Sequence, residues 1–253
     1  MDAREHDILR SAEDTHWWYG VQRSLALEAV SKRLPHGARV LDAGCGTGGM
    51  MEMLTDFEVH GIDESAAAVK HCLERGLTNV GIGTVNALPF AEASFDAVLS
   101  LDVLYHAGVD EDHALTEMHR VLKPGGLLVL NLPAFDCLRG SHDLAVCGVR
   151  RYKACHMRRL LQKHNLSLEM LHYWNAWLFL PLLIWRRCSL MRGQKIQPSV
   201  TSDLHLPPQW PNRMLARIGG LDARLCRLLH VPFGSSLFAL ARRIEPSPTH
   251  GND

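Results

Sequence analysis

The chain has 253 residues, of which 47% are hydrophobic and 21% charged, and its 27 basic residues balance 27 acidic ones. This composition excludes disordered, collagen-like and coiled-coil proteins and is sufficient for one large hydrophobic core. The seven cysteines are odd in number and form no CxxC pair, so we expect neither a disulfide framework nor a metal site. A reducing, cytoplasmic environment fits these features best.

Two segments bear on membrane targeting. Acidic residues interrupt the first 20 positions, so the start of the chain shows no secretory signal. The longest apolar run, residues 177–185, is about half as long as the roughly 20 residues that a transmembrane helix needs. We therefore predict a cytoplasmic protein in which residues 174–187 either pack in the core or make a peripheral membrane contact.

The balanced net charge conceals an asymmetry along the chain. Residues 1–130 carry 20 acidic and 10 basic side chains, whereas residues 131–253 carry 7 acidic and 17 basic ones. Several of the later arginines are adjacent in pairs, an arrangement typical of solvated helix faces. The pair of Arg150 and Arg151 is instead a candidate site for an anion.

Short apolar runs alternate with amphipathic stretches from residue 20 to residue 173, as in strand–helix units around a parallel sheet. The predicted strands cover 39–42, 58–63, 80–84, 95–101, 126–132 and about 168–173. The predicted helices cover 20–33, 48–55, 65–75, 111–122 and 154–164, and Ser65 is suited to cap the third of them. After residue 174 the alternation stops, which indicates a helical insertion before a last strand at 236–244.

A glycine-rich turn follows the first predicted strand, over residues 40–49. Glycines let the backbone approach a ligand closely and let the next helix point its N-terminus at that ligand. The turn also satisfies the dinucleotide pattern G-x-G-x-x-G through Gly44, Gly46 and Gly49, so an NAD-dependent oxidoreductase has to be considered.

Two acidic residues at strand ends narrow the choice of ligand. Asp42 lies two residues before the first glycine, where a carboxylate would repel a pyrophosphate and attract an ammonium group. S-adenosylmethionine (SAM) carries a free ammonium and no phosphate. Asp63 ends the next predicted strand, where an acid accepts hydrogen bonds from ribose hydroxyls in dinucleotides and in SAM alike.

Six short strings occur in one order along the chain: LDAGCGTG at 41–48, GID at 61–63, ALPF at 87–90, SFDAV at 94–98, VLYH at 103–106 and RVLKPGG at 120–126. Through them, residues 38–133 resemble the class I SAM-dependent methyltransferases, in particular their small-molecule, type 11-like branch. The resemblance implies a Rossmann-like α/β fold, with a seven-stranded, mostly parallel sheet, an antiparallel last strand and helices on both faces. It divides the chain into a helical lid at 1–34, a SAM-binding core at 35–173, a helical insertion or substrate cap at 174–235, and the last strand and tail at 236–253.

The resemblance also implies a set of cofactor-binding residues for SAM and its product S-adenosylhomocysteine (SAH). The methionine moiety is expected over the glycine turn, the ribose at Asp63, and the adenine between the residues after Asp63 and the end of the third strand. Thr84 and Val85 replace an Asp-Ala pair that is common in the family, so we expect weaker adenine recognition. The full set is Trp18, Arg23, Asp42, Gly44, Cys45, Gly46, Asp63, Glu64, Ser65, Thr84, Val85, Asn86 and Leu101.

Methyl transfer from a sulfonium depends mainly on alignment, so few catalytic groups are needed. The candidates for an acid–base or positioning role are His106, His142 and Tyr105. Arg150, Arg151 and Tyr152 are the candidates for acceptor binding, because two guanidinium groups suit a phosphate or carboxylate. With the apolar insertion as a cover, an anionic amphiphile such as a prenyl diphosphate or a lipid-linked biosynthetic intermediate satisfies both features.

Three other functions compete with a small-molecule methyltransferase. An NAD-dependent oxidoreductase is disfavoured by Asp42, and a protein that binds SAM without turnover would keep the same pocket. A nucleic-acid partner is not expected, since the arginines are dispersed and no base-clamping string occurs. The acceptor atom and the oligomeric state are left undetermined by the sequence.

Overall fold

The computed structural model describes residues 10–191 and 207–245. Its strands are β1 (Arg39–Ala43), β2 (Glu58–Asp63), β3 (Val80–Ile82), β4 (Phe95–Leu101), β5 (Leu122–Pro133), β6 (Leu166–Trp174) and β7 (Ser236–Arg243). They form one sheet in the order β3-β2-β1-β4-β5-β7-β6. Strand β7 is antiparallel to both of its neighbours, whereas the pairs from β3 to β5 are parallel. The predicted α/β architecture is therefore confirmed.

Helices accompany the strands in chain order. They are α1 (Trp17–Ser31), α2 (Ala66–Glu74), α3 (Glu111–Val121), α4 (Ser141–Ala145), α5 (Ala154–Lys163), α6 (Phe179–Met191) and α7 (Gln209–Leu229). Residues 10–15 are helical as well and precede α1. The side chain of Ser65 accepts a hydrogen bond from the Ala68 amide, so the predicted cap of α2 is confirmed.

Apolar side chains project from both faces of the sheet, because neighbouring residues of a strand point to opposite sides. On β1, Leu41 joins one hydrophobic cluster, which includes side chains of α3 and α5. Its neighbour Val40 joins a second cluster, which includes side chains of α1 and α7. Burying both faces suits a parallel sheet with helical crossovers and explains the continuous apolar runs in the sequence.

The helix predicted at 48–55 is wrong. Only a single 3₁₀ turn, Met51–Met53, forms there. Gly48 adopts φ +88°, which lies in the left-handed region and cannot continue a right-handed helix. Glycines that free the turn to approach a ligand therefore also shorten the helix that follows it.

The predicted insertion contains the 3₁₀ turn Ala176–Leu178 followed by α6 and α7. Helix α7 packs against α1, where Gly219 lies close to the side chains of Trp17 and Val21. A carboxylate of α7, Asp222, accepts hydrogen bonds from the backbone N–H groups of residues 175–177 and so ties α7 to the start of the insertion. Within residues 10–191 and 207–245, no helix is long and apolar enough to cross a membrane.

Candidate active site

A cavity of about 610 Å³ lies at the carboxyl ends of β1, β2 and β4. Strand β1 lies between β2 and β4, so the strand order reverses there, as it does where open α/β sheets bind ligands. The volume falls in the range of roughly 300–1,000 Å³ that is common for small-molecule sites. Residues of the N-terminal helices, of the turns after these strands and of α6 line the cavity.

Asp42 carries a buried carboxylate, and one of its oxygens lacks a hydrogen-bond partner in the described part of the chain. Asp42 is 2% exposed, and its Oδ2 atom makes no hydrogen bond within the described chain. Burial, together with the nearby carboxylates of Glu13 and Asp63, raises the pKa of Asp42 to about 8. A cation in the cavity would therefore stabilise the ionised form of Asp42 and lower its pKa.

The glycine turn brings backbone N–H groups close to the carboxylate of Asp63. Gly44 has φ +88°, and a Cβ atom added there would lie 2.4 Å from Cγ2 of Val103, so only glycine fits. The Gly46 amide donates to Oδ2 of Asp63 at 3.0 Å, and the Ser65 amide donates to Oδ1 at 2.9 Å. These two bonds fix the Asp63 carboxylate at the edge of the cavity.

The N-terminal helices cover the glycine turn. Glu13 accepts hydrogen bonds from the Gly49 amide at 3.3 Å and from the Thr47 hydroxyl. Arg23 donates to the Gly49 carbonyl at 3.0 Å and to the Glu13 carbonyl. Burial raises the pKa of Glu13, although the bond from Thr47 and the charge of Arg23 lower it. No sequence signal separated Glu13 from the other acids of the N-terminal segment.

A second carboxylate, Asp102, lines the cavity directly after β4. It accepts hydrogen bonds from Gln22 and, at 3.1 and 3.2 Å, from the side-chain amide of Asn131. Burial raises the pKa of Asp102 to about 7, although these hydrogen bonds lower it. Its φ of +56° is uncommon for a residue other than glycine and is a feature of functional sites. The sequence pattern did not single out Asp102, although an acid at the end of a third strand was the available signal.

His106 and Tyr105 also line the cavity, with their rings stacked at 4.3 Å. The His106 Nδ1 atom lies 2.7 Å from the Val146 carbonyl oxygen, and Nε2 lies 3.2 Å from that of Asp102. Burial lowers the pKa of His106 and raises that of Tyr105 well above its usual value. Both ring nitrogens of His106 thus face backbone carbonyls, which ties the loop after β4 to residue 146. The side chain of His142 lies outside the described part of the structure.

Comparisons with known proteins support one family. Residues 41–130 match a methyltransferase domain model. A probable S-adenosylmethionine-dependent methyltransferase of Mycolicibacterium smegmatis is 33% identical over 173 residues, which are 65% of this chain and 65% of that protein. An Arabidopsis thaliana tRNA (carboxymethyluridine(34)-5-O)-methyltransferase is 34% identical over 110 residues, which are 43% of this chain and 27% of that protein. The chain thus spans less than two thirds of these relatives.

A solved structure agrees at the level of the fold. It is a chain from the complex between the Haloferax volcanii Trm112 methyltransferase activator and a methyltransferase, and it matches with a TM-score of 0.59 and 19% identity. The match covers 93% of each chain. Residues 41–130 are therefore similar to a methyltransferase domain, and 65% of the chain is similar to a probable SAM-dependent methyltransferase.

The residues of the cavity fit SAM, the cofactor named for the Mycolicibacterium smegmatis relative. The Asp42 oxygen without a partner suits the ammonium of the methionine moiety, and the backbone of Gly44 and Gly46 lines the cavity beside it. Asp63 can accept hydrogen bonds from ribose hydroxyls while it keeps those from the turn. Of the predicted cofactor residues, those that line the cavity are Trp18, Arg23, Asp42, Gly44, Cys45, Gly46, Asp63, Glu64, Ser65, Val85 and Leu101.

Two of the predicted cofactor residues lie apart from the cavity. Thr84 and Asn86 do not line the cavity. The Thr84 hydroxyl accepts from the Asn86 amide, while the Asn86 side chain bonds Gly108 and Asp110 and so stabilises the loop before α3. Cys45 borders the cavity, but its sulfur lies 4.0 Å from that of Cys72, in a small buried cluster.

The predicted anion site is also corrected. Arg150 and Tyr152 do not line the cavity, and both bind Glu111, at 3.4 and 2.8 Å. Arg151 does line it, but Asp143 neutralises its guanidinium through bonds of 2.8 and 3.1 Å. The arginine pair therefore stabilises the chain after β5, and sequence spacing alone could not show its carboxylate partners.

Proposed function

We propose that this protein transfers the methyl group of SAM to a small-molecule acceptor that binds in the same cavity. The observation that carries the proposal is the buried Asp42 oxygen without a hydrogen-bond partner in the described chain. It lies next to a turn in which only glycine fits at position 44. Phosphate-bearing cofactors bring negative charge to this position, whereas SAM brings an ammonium. A dinucleotide enzyme is therefore disfavoured on the same ground.

The acceptor would occupy the part of the cavity beyond the glycine turn. Apolar side chains from three segments line this part, namely Leu138, Val146, Leu178 and Leu182. Trp18 of α1 covers it and stacks on Trp174, with ring centroids 5.7 Å apart. A covered, largely apolar site of this size supports a small molecule rather than a folded macromolecule.

Two hydrogen-bond acceptors face this space and define the chemistry of the molecule that fits. Asp102 presents its carboxylate, and Oδ1 of the buried Asn175 makes no hydrogen bond within the described chain. Both are satisfied by an acceptor that carries O–H or N–H groups. The alternative acceptor, an anionic amphiphile such as a prenyl diphosphate, would have to bind at Arg186, which lines the cavity from α6.

The chain would act mainly by alignment. When SAM is bound, its sulfonium supplies an activated methyl group. Residues of the glycine turn and Asp63 fix the donor end, while Asn175 and the apolar wall fix the acceptor so that its oxygen or nitrogen faces the methyl carbon. The acceptor would form a bond to the methyl carbon as the carbon–sulfur bond breaks and SAH is left, and it would lose one proton, which Asp102 is placed to take.

Labelled SAM offered to panels of molecules tests the proposal. We expect transfer to alcohols, phenols or amines, and loss of at least tenfold in rate for Asp42→Asn, since cofactor binding weakens. Asp56→Asn, at an exposed carboxylate, is the matched control and should leave the rate unchanged. The proposal fails if the label moves to tRNA or to no acceptor, or if NADH binds in place of SAH.

A further inference from the structure

Helix α7 exposes an apolar stripe along most of its length. Trp210 is 74% exposed, Leu221 59%, Leu228 69% and Leu229 70%. With 3.6 residues per turn, the large exposed apolar side chains of α7 fall within a sector of about 100° on one side of the helix. The stripe consists of Trp210, Met214, Ile218, Leu221, Leu225, Leu228 and Leu229.

Arginines follow one edge of this stripe. Arg213, Arg217 and Arg224 are all exposed, and helical spacing places them side by side next to the apolar sector. The acidic residue of the helix, Asp222, borders the other edge of the stripe, where its carboxylate accepts hydrogen bonds from the backbone N–H groups of residues 175–177. The outer face of α7 therefore combines apolar side chains with three positive charges along one edge, and the one carboxylate at its other edge is engaged by backbone N–H groups.

The inner face of α7 already makes the contacts that attach the helix to the sheet. Gly219, Ala223 and Cys226 are buried there. The stripe therefore adds nothing to the core of the described structure, and exposed apolar surface of this extent marks an interaction site. Its basic edge adds charge complementarity to a negative partner.

We infer that the stripe of α7 binds the surface of an anionic lipid bilayer, with the helix lying in the plane of the interface. An amphipathic helix with a wide apolar sector, Trp and Leu on that sector and Arg beside it has the composition of interfacial helices. The apolar side chains would enter the boundary between headgroups and acyl chains, and the arginines would meet the lipid phosphates. Asp222 links this helix to the backbone just before α6, so α6, which lines the cavity, would lie close to the bilayer.

Co-sedimentation of the full chain with vesicles tests this inference. One set of vesicles contains phosphatidylcholine alone, and the other contains phosphatidylcholine mixed with anionic phosphatidylglycerol. We expect strong binding to the mixed vesicles, weak binding to the neutral ones and a decrease at high salt. Arg213→Gln and Arg217→Gln should each weaken binding roughly fivefold, the factor that corresponds to about 1 kcal/mol per basic residue.

Matched variants distinguish vesicle binding by this stripe from nonspecific adsorption of the protein. Leu221→Gln combined with Leu225→Gln should weaken vesicle binding at least tenfold, because two apolar side chains that would be buried in the bilayer are lost. Leu73→Gln, at a side chain that is 54% exposed on α2, and Arg159→Gln on α5 are the controls and should bind as the unaltered chain does. All variants should bind SAH equally well, which shows that they are folded and that the result is independent of the proposed reaction.

Three outcomes would overturn the inference. The first is no sedimentation with anionic vesicles. The second is equal binding by the stripe variants and the controls. The third is a concentration-dependent dimer that the stripe substitutions dissociate while vesicle binding is absent, which would assign the face to a second copy of the chain.

Discussion

Asn131 binds Asp102 from two directions. Its backbone carbonyl accepts the Asp102 amide hydrogen at 2.8 Å, and its side-chain amide donates to both carboxylate oxygens at 3.1 and 3.2 Å. The indole N–H of Trp174 in turn donates to Oδ1 of Asn131 at 2.8 Å, which orients the amide. This chain of bonds keeps Asp102 in its left-handed backbone conformation with the carboxylate at the cavity.

Asp102→Asn should reduce kcat on the order of 100-fold, because the amide cannot take the acceptor's proton. Since burial raises the pKa of Asp102 to about 7, the rate of the unaltered enzyme should rise with pH through neutrality, and this rise should disappear in the variant. Rates with labelled SAM across pH measure both effects. Asp136→Asn, at an exposed carboxylate, serves as the control. An unchanged pH profile in Asp102→Asn would contradict the assigned role.

Asn175→Gly should raise the KM for the acceptor roughly fivefold to tenfold, as expected for one lost hydrogen bond, with little change in SAH affinity. Glycine is the suitable replacement because Asn175 has φ +63°, which glycine adopts without strain. Asn165→Gly, at an exposed residue with φ +53°, controls for the backbone change. Equal KM values for the two variants would exclude Asn175 from acceptor recognition.

Arg151→Gln should lower the free energy of unfolding by about 3–5 kcal/mol, because it leaves the carboxylate of Asp143 buried without its partner. Arg150→Gln should cost less than about 1 kcal/mol, since the ion pair of Arg150 with Glu111 is more exposed. Urea denaturation measures both values. If Arg150→Gln raises the KM for the acceptor while Arg151→Gln leaves stability intact, the anion site predicted from the sequence is correct after all.

Asp42 should make the stability of the cofactor-free protein depend on pH. Its pKa is raised to about 8 in the folded protein, so from about pH 4 upward the unfolded chain loses the proton first. The folded state then binds more protons, and its stability falls as pH rises to 8, by up to about 1.4 kcal/mol per pH unit. Asp42→Asn should remove this contribution and become progressively more stable than the unaltered chain between about pH 5 and 8. A constant difference in the unfolding free energy would contradict the raised pKa.

The fold was predictable where hydrophobic period and turn chemistry agree. The runs at 58–63 and 95–101 form β2 and β4 with the predicted bounds, because both faces of these strands are covered. The glycines around residue 48 misled the prediction, since the same residues that mark a ligand turn also prevent a helix. Helix α4 was missed because five residues carry too little periodicity.

Most residues predicted for the cofactor half of the site line the cavity, because they belong to one strand, one turn and one acid at the next strand end. The acceptor half depends on contacts between distant segments. Gln22 meets Asp102 across 80 positions, and Trp174 meets Asn131 across 43. The ion pairs could not be predicted for the same reason, because Arg150 pairs with Glu111 of α3 and Arg151 pairs with Asp143 of α4.

Proton release on SAH binding tests the central claim about Asp42 most directly. With a pKa of about 8, Asp42 is mostly protonated at neutral pH, and an ammonium ligand requires it to ionise. Calorimetry in buffers of different ionisation enthalpy should show release of close to one proton near pH 7, and affinity should rise up to tenfold per pH unit between about pH 6 and 8. Asp42→Asn should abolish the release and weaken binding. Equal affinity and equal proton release in the variant would contradict the account.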